Sequence, residues 1–182
     1  KGENMSNKFV VNIIHRPELS PEYAERALGG KKDVKDESLE IFKFQQDTAH
    51  KYGLKTTIQI TYASLFSDVI IDMAKADHEK YGDEIALSLL GLPCKEFKDK
   101  YHTEDFCIWM FDKKQKEEIV DDVFGKFYEK FGFYPESTGS YFLDAYTINY
   151  IKAKYPSVKC AVATCWEEGP KAYHTCNNSW YT

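Results

Sequence analysis

The sequence has no block of basic residues. Its longest cationic cluster, Lys113-Lys114-Gln115-Lys116, runs straight into Glu117-Glu118, and the formal net charge is −5. A nucleic-acid partner needs a positive footprint, so that class is set aside. No apolar run approaches the ~20 residues that a helix needs to cross a bilayer. Lys1-Gly2-Glu3-Asn4 has no signal-peptide character. Lys1 as first residue suggests processing or truncation, which leaves a periplasmic or secreted location open. The five cysteines, Cys94, Cys107, Cys160, Cys165 and Cys176, include no CxxC pair. They read as buried or free thiols rather than zinc ligands, with one disulfide of unassigned partners left open. GxGxxG, GxxxxGK[ST] and GxSxG are all missing, which removes the usual dinucleotide, P-loop and serine-hydrolase signatures. Neither a cofactor nor a metal is expected.

What is present is globular. The 182 residues are 43% hydrophobic and 29% charged, enough for one domain with a real core. Aromatics are abundant, with thirteen tyrosines and three tryptophans, and most are expected in the core. Their amphipathic rings also suit stacking on the apolar faces of sugars.

The hydrophobic pattern alternates between strand and helix. Phe9 to Ile14 is a short β-branched run that reads as a buried strand. Asp36 to Tyr52 has helical spacing, with Asp36 as cap and Gly53 just past the end. Thr56 to Tyr62 is β-rich. A helix opening at Ser67 or Asp68 runs to Gly82, and Glu84 to Leu90 is a third strand. The looser stretch Pro93 to Asp105 leads to Phe106 to Phe111, apolar throughout and expected as a fourth strand. Lys114 to Phe131 is the clearest helix, with Val120, Phe124, Phe127 and Phe131 on one face. Tyr134 to Gly139 is ambiguous between strand and loop. Leu143 to Tyr155 is helical, and Val158 to Thr164 is a final strand. This order predicts parallel strands with helical crossovers: a single α/β domain over residues 1–182, a partial or irregular (β/α) barrel. A complete barrel usually takes about 250 residues, so truncation at the C-terminus is expected.

In such folds chemistry gathers where strands end. The first strand ends in His15-Arg16-Pro17-Glu18, which offers a base or metal ligand, an anion clamp and a carboxylate. The last ends in Thr164-Cys165-Trp166-Glu167-Glu168. A carboxylate buried beside the Trp166 ring would have a raised pKa and suit general-acid work. Glycoside hydrolysis needs two carboxylates, so Glu167 or Glu168 would pair with Glu18 or Asp144. Trp166, Tyr62 and Tyr141 would form a sugar platform, with Arg16 and Ser140 as further ligand contacts. A solvated acidic turn with Trp166 in the core is the plain alternative. His50 and His78 fall inside helices and read as surface or packing residues.

The segment Phe131-Gly132-Phe133-Tyr134-Pro135-Glu136-Ser137-Thr138-Gly139-Ser140-Tyr141, then a helix, then Val158 to Glu167, is similar to the later part of polysaccharide-deacetylase-like (NodB-like) domains. The whole chain looks like a bacterial group related to these deacetylases and to glycoside hydrolases with similar barrels. The resemblance implies a barrel fold and a polysaccharide substrate. It does not carry over the family's metal site. Where the family has an Asp-Asp pair this chain has His15-Arg16-Pro17-Glu18, and Ser88-Leu89-Leu90-Gly91 replaces the His-x-x-x-His motif. The substrate loop carries over only to Thr138, Gly139, Ser140 and Tyr141, without the family's usual Arg.

Two functions follow as expectations. One is a carbohydrate-active enzyme, glycoside hydrolase-like or deacetylase-related, working by carboxylate acid/base chemistry. The other is a non-catalytic glycan-binding or scaffold domain on a degenerate barrel. A phosphosugar enzyme using Arg16 is a weaker third. The partner is a carbohydrate in the first two cases, and the oligomeric state stays open.

Overall fold

A computed structural model describes residues 12–17, 37–89, 94–103, 108–141 and 143–164. The elements, in chain order, are β1 (Ile14–His15), α1 (Glu37–Lys51), β2 (Thr57–Ile60), α2 (Asp68–Tyr81), β3 (Glu84–Ser88), α3 (Lys95–Tyr101), α4 (Lys113–Phe131), β4 (Ser137–Tyr141), α5 (Ala145–Lys154) and β5 (Cys160–Thr164). Short 3-10 turns lie at Ala63–Phe66 and Ile108–Met110. All strand pairings are parallel, and the spatial order β1-β2-β3-β4-β5 is the chain order. The five strands curl into a half-barrel flanked by helices, as the alternating pattern predicts.

Sequential order decides where the helices go. Parallel crossovers are right-handed, so strands added in one direction send every crossover to the same face. Register then sorts the side chains. Thr57 pairs with Glu84, Ile58 with Ile85, Gln59 with Ala86 and Ile60 with Leu87. Ile58, Ile60, Ile85 and Leu87 belong to the core, packed with Ile70, Ile71 and Ala74 of α2 and with α4. The other set, Thr57, Gln59, Glu84, Ala86 and Ser88, belongs to the concave face, which carries no helix among the described residues.

The longest helix shows how local sequence sets an element. Asp112 caps α4: its side chain accepts from Gln115 N, and Gln115 returns the bond to the Asp112 amide. That reciprocal box satisfies two otherwise orphaned donors. Ile119, Val120, Val123, Phe124 and Phe127 line its buried stripe. Gly132 ends it at φ 78°, a left-handed conformation that costs glycine little.

Two expectations change. In the fourth strand expected over Phe106 to Phe111, the described part is not a strand: Ile108–Met110 is a 3-10 turn, and Phe106 and Cys107 lie outside the described residues. Ile108 and Phe111 are buried while Trp109 and Met110 are exposed. Only positions three apart face the core, which a turn provides and a doubly covered strand does not. The looser stretch before it contains helix α3, whose Phe97 is fully buried against Tyr62, Tyr101 and Phe111. The ambiguous segment after Gly132 resolves as strand β4, which pairs with β3 and β5. Cys94 and Cys160 are free. Burial pushes the Cys94 thiol up to about 12, so it packs rather than reacts. No helix among the described residues is long and apolar enough to cross a membrane.

Candidate functional site

The concave face is the feature that separates this sheet from an ordinary barrel interior. Barrel interiors are dominated by branched aliphatic side chains. Here β2 and Thr61 contribute Thr57, Gln59 and Thr61, β3 contributes Glu84, Ala86 and Ser88, and β4 contributes Ser137 and Gly139. Gln59 is 4% exposed and Ser88 is fully buried. At the outer strands the face is open: Ile14 and Val162 are 37% and 49% exposed.

Three local arrangements organise this face. Thr57 Oγ1 donates to Glu84 Oε2 at 3.1 Å, across neighbouring strand starts. The Gln59 amide reaches over β3 to lie against Gly139, where a Cβ would sit 2.6 Å from Gln59 Nε2 and 3.2 Å from the Val162 carbonyl. At the C-terminal edge, the Thr61 and Ser64 hydroxyls are 2.8 Å apart, and the Ser64 hydroxyl donates to the Pro17 carbonyl. The loop after β2 is thereby fastened to the chain leaving β1.

His15, Tyr62, Ser140 and Asp144, among the residues singled out from the sequence, have separate surroundings. His15 has the register of Ile58, on the helix-covered side; its Nδ1 bonds Gln46 Oε1 and its ring meets Phe42 edge-on. Tyr62 is 3% exposed, and its hydroxyl donates to Asp122 Oδ2 at 2.9 Å. Burial and that carboxylate raise its pKa. Tyr101 and Lys100 hold the same carboxylate, so Tyr62 is part of the seam between α3 and α4. Ser140 is buried and shares the register side of Thr138, which lines a small hollow with Leu143, Ile148 and Ile151 under α5.

Asp144 caps α5, accepting from Thr147 N at 3.1 Å and Thr147 Oγ1 at 2.8 Å, and it pairs with Lys116 Nζ at 3.0 Å. Burial works against its ionisation, but the Thr147 amide and the Lys116 ammonium outweigh it and hold the carboxyl below its usual range. That keeps Asp144 ionised, as the cap of α5 and the partner of Lys116. Arg16 follows β1, half-buried, and Tyr141 ends β4 opposite Thr164. Glu18, Trp166, Glu167 and Glu168 lie outside the described residues.

Gln59, Glu84 and Thr57 were missed by the sequence reading. Their signal was the alternation Thr57-Ile58-Gln59-Ile60-Thr61, polar residues at every second position of a strand, which marks a face of its own. Among the described residues, one group has metal-ligand chemistry: His50, Asp77 and Asp83, with ligand atoms within 4.8 Å of one another. It lies at the other edge of the sheet, where β2 and β3 begin.

No protein-family model, curated protein or solved structure matches the chain. The fold and the two polar regions are therefore the ground for a functional reading.

Proposed function

We propose that this chain is a carbohydrate-active β/α-barrel protein. Its ligand binds at the C-terminal edge of the concave face, and Glu167, Glu168 and Glu18 supply the carboxylates. One observation carries the reading: the face that would hold branched aliphatics in an ordinary barrel instead presents hydroxyl and amide groups, Thr57, Gln59, Thr61, Ser88 and Ser137. Hydroxyl and amide groups at this density are the chemistry that the hydroxyls of a sugar complement. By sequence, Glu18 and Glu167 follow the two outer strands of this half-barrel, β1 and β5, where the concave residues Ile14 and Val162 are exposed.

The test is a panel of oligosaccharides assayed for saturable binding and for product release, with wild type beside Glu167→Gln/Glu168→Gln. Turnover in wild type and its loss in the double variant, with binding kept, is the expected result. Turnover unchanged in the double variant removes the carboxylate assignment. No binding to any glycan removes the whole reading.

The non-catalytic alternative has its own support. Strands β2, β3 and β4 run out at Thr61, Ser88-Leu89 and Tyr141, none of them a carboxylate. Saturable glycan binding without product release is its signature.

A further inference from the structure

Five polar side chains converge at the edge of the sheet opposite the proposed ligand edge. α1 contributes Gln46 and His50, the last turns of α2 contribute Asp77, Asp83 immediately precedes β3, and His15 comes from β1. His50 Nε2 lies 2.7 Å from Asp83 Oδ2. Gln46 Nε2 lies 3.1 Å from Asp77 Oδ2 and 3.0 Å from Asp83 Oδ2, so the two carboxylates close on one point. Gln46 Oε1 faces Thr56 Oγ1 at 3.1 Å and His15 Nδ1. The Asp83 side chain is fully buried and that of His50 is 4% exposed, while Asp77 at the rim is partly exposed.

We propose that His50 Nε2, Asp77 and Asp83, joined by the Gln46 amide oxygen, form a divalent transition-metal site for which Zn2+ is the fitting ion. Three arguments carry it. First, two carboxylates converge, Asp83 buried and Asp77 at the rim, and their described partners there are neutral donors and imidazole. A divalent cation balances that charge, as buried charges require. Second, the donor set of one imidazole nitrogen with carboxylate and amide oxygens matches zinc, whereas calcium takes oxygen ligands. In the ion-free arrangement His50 Nε2 carries the ring proton towards Asp83; a cation would displace it, and Nδ1, buried without a hydrogen-bond partner, is the position left to take it.

Third, the network can reverse. The two ends of a Gln amide exchange by a half-turn of the terminal torsion. After it, Oε1 faces the carboxylate side as a metal ligand, and Nε2 faces Thr56 Oγ1 and His15 Nδ1, both able to accept. The same five groups thus satisfy one another with the cation or without it. An ion here would tie α1, α2 and the start of β3 together at the barrel end associated with stability rather than catalysis. This inference is independent of the carbohydrate reading, since none of its ligands lies on the concave face.

The experiment uses the full chain, stripped with a chelator and titrated calorimetrically with Zn2+. One saturable site per chain and a higher melting temperature with zinc are expected, because an ion bound only by the folded state stabilises it. Asp77→Asn is the variant of choice, since Asp77 is the partly exposed ligand and touches the network through Gln46. It should weaken binding by about tenfold or more while far-UV circular dichroism stays unchanged, the scale expected on perturbing a ligand sphere. Cobalt(II) in the wild type gives a second readout: absorption of nitrogen and oxygen ligation without a thiolate charge-transfer band. No saturable zinc binding overturns the proposal. So does Asp77→Asn binding as tightly as wild type, or a thiolate band, which would put the ion on a cysteine.

Discussion

Gln59 and Gly139 are separated by a whole strand, yet the Gln59 amide lies where a Gly139 side chain would be. A Cβ on Gly139 would fall 2.6 Å from Gln59 Nε2. The contact spans from β2 across β3 to β4 on the concave face, and this is what a tightly curled sheet permits and a flat one does not. Neighbouring strands are ~4.8 Å apart, so a flat sheet would set these strands nearly 10 Å from each other. Glycine at 139 is therefore tied to the curl of the half-barrel and to the side chain that fills it.

Gly139→Ala should destabilise the fold by about 1–3 kcal/mol, the usual cost of overpacking a filled site. The backbone carbonyl of Val162, 3.2 Å from the added Cβ, limits how far the strand can retreat. Gln59→Ala in the same chain should recover part of the loss, because it removes the flexible partner in the collision. Urea unfolding of both single variants and the double variant measures this coupling. Strictly additive losses would show that the two residues do not meet.

Tyr62 shows how a residue at a strand end can belong to the other side of the sheet. Thr61 falls on the concave register and Tyr62 one position later turns to the helices, where its hydroxyl reaches Asp122. Tyr62→Phe keeps the buried ring and deletes that one donor, leaving Asp122 with Tyr101 and Lys100. A loss of about 1–2 kcal/mol is expected, between a neutral hydrogen bond and one to a charged group. Glycan affinity should not change. A variant with unaltered stability and weakened glycan binding would return Tyr62 to the ligand platform.

The elements legible in the sequence were those whose periodicity had one cause. In Lys113–Phe131 a single stripe of apolar residues faces the sheet, so Val120, Phe124 and Phe127 stand out. Glu84–Ser88 shows itself as an apolar strand because one side is core and the other carries small residues. Ile108–Met110 was misread because six apolar residues in a row have no period, and only burial reveals that Trp109 and Met110 face outward. Ser137–Tyr141 has almost no apolar residue, and its place as a strand depends on ladders to β3 and β5 that local pattern does not contain. The sites were harder still. His15 meets Gln46 from 31 positions away, and Gln46 meets Asp83 from 37. His50 packs, as its helix suggests, with its ring stacked on Tyr81, but its partner Asp83 comes from beyond the next strand and helix.

Asp144, expected as the carboxylate partner of an acid, caps α5 and pairs with Lys116. Its carboxyl is held below its ordinary value by the Thr147 amide and Lys116, against the opposing effect of burial. A carboxylate with a depressed folded pKa contributes stability that is fully present above the unfolded value, about 3.9. That contribution disappears as pH falls through the lower, folded value. Asp144→Ala removes both the cap and the ion pair and should cost about 1 kcal/mol at neutral pH, the usual worth of a helix N-cap. Asp144→Asn keeps a good cap and loses only the charge, so it should cost less. The gap between wild type and Asp144→Asn should then narrow as unfolding is measured at progressively lower pH. A gap that stays constant down to strong acid would mean that the Lys116 pair contributes nothing. Loss of glycan turnover in Asp144→Asn, with stability kept, would instead place this carboxylate in the chemistry.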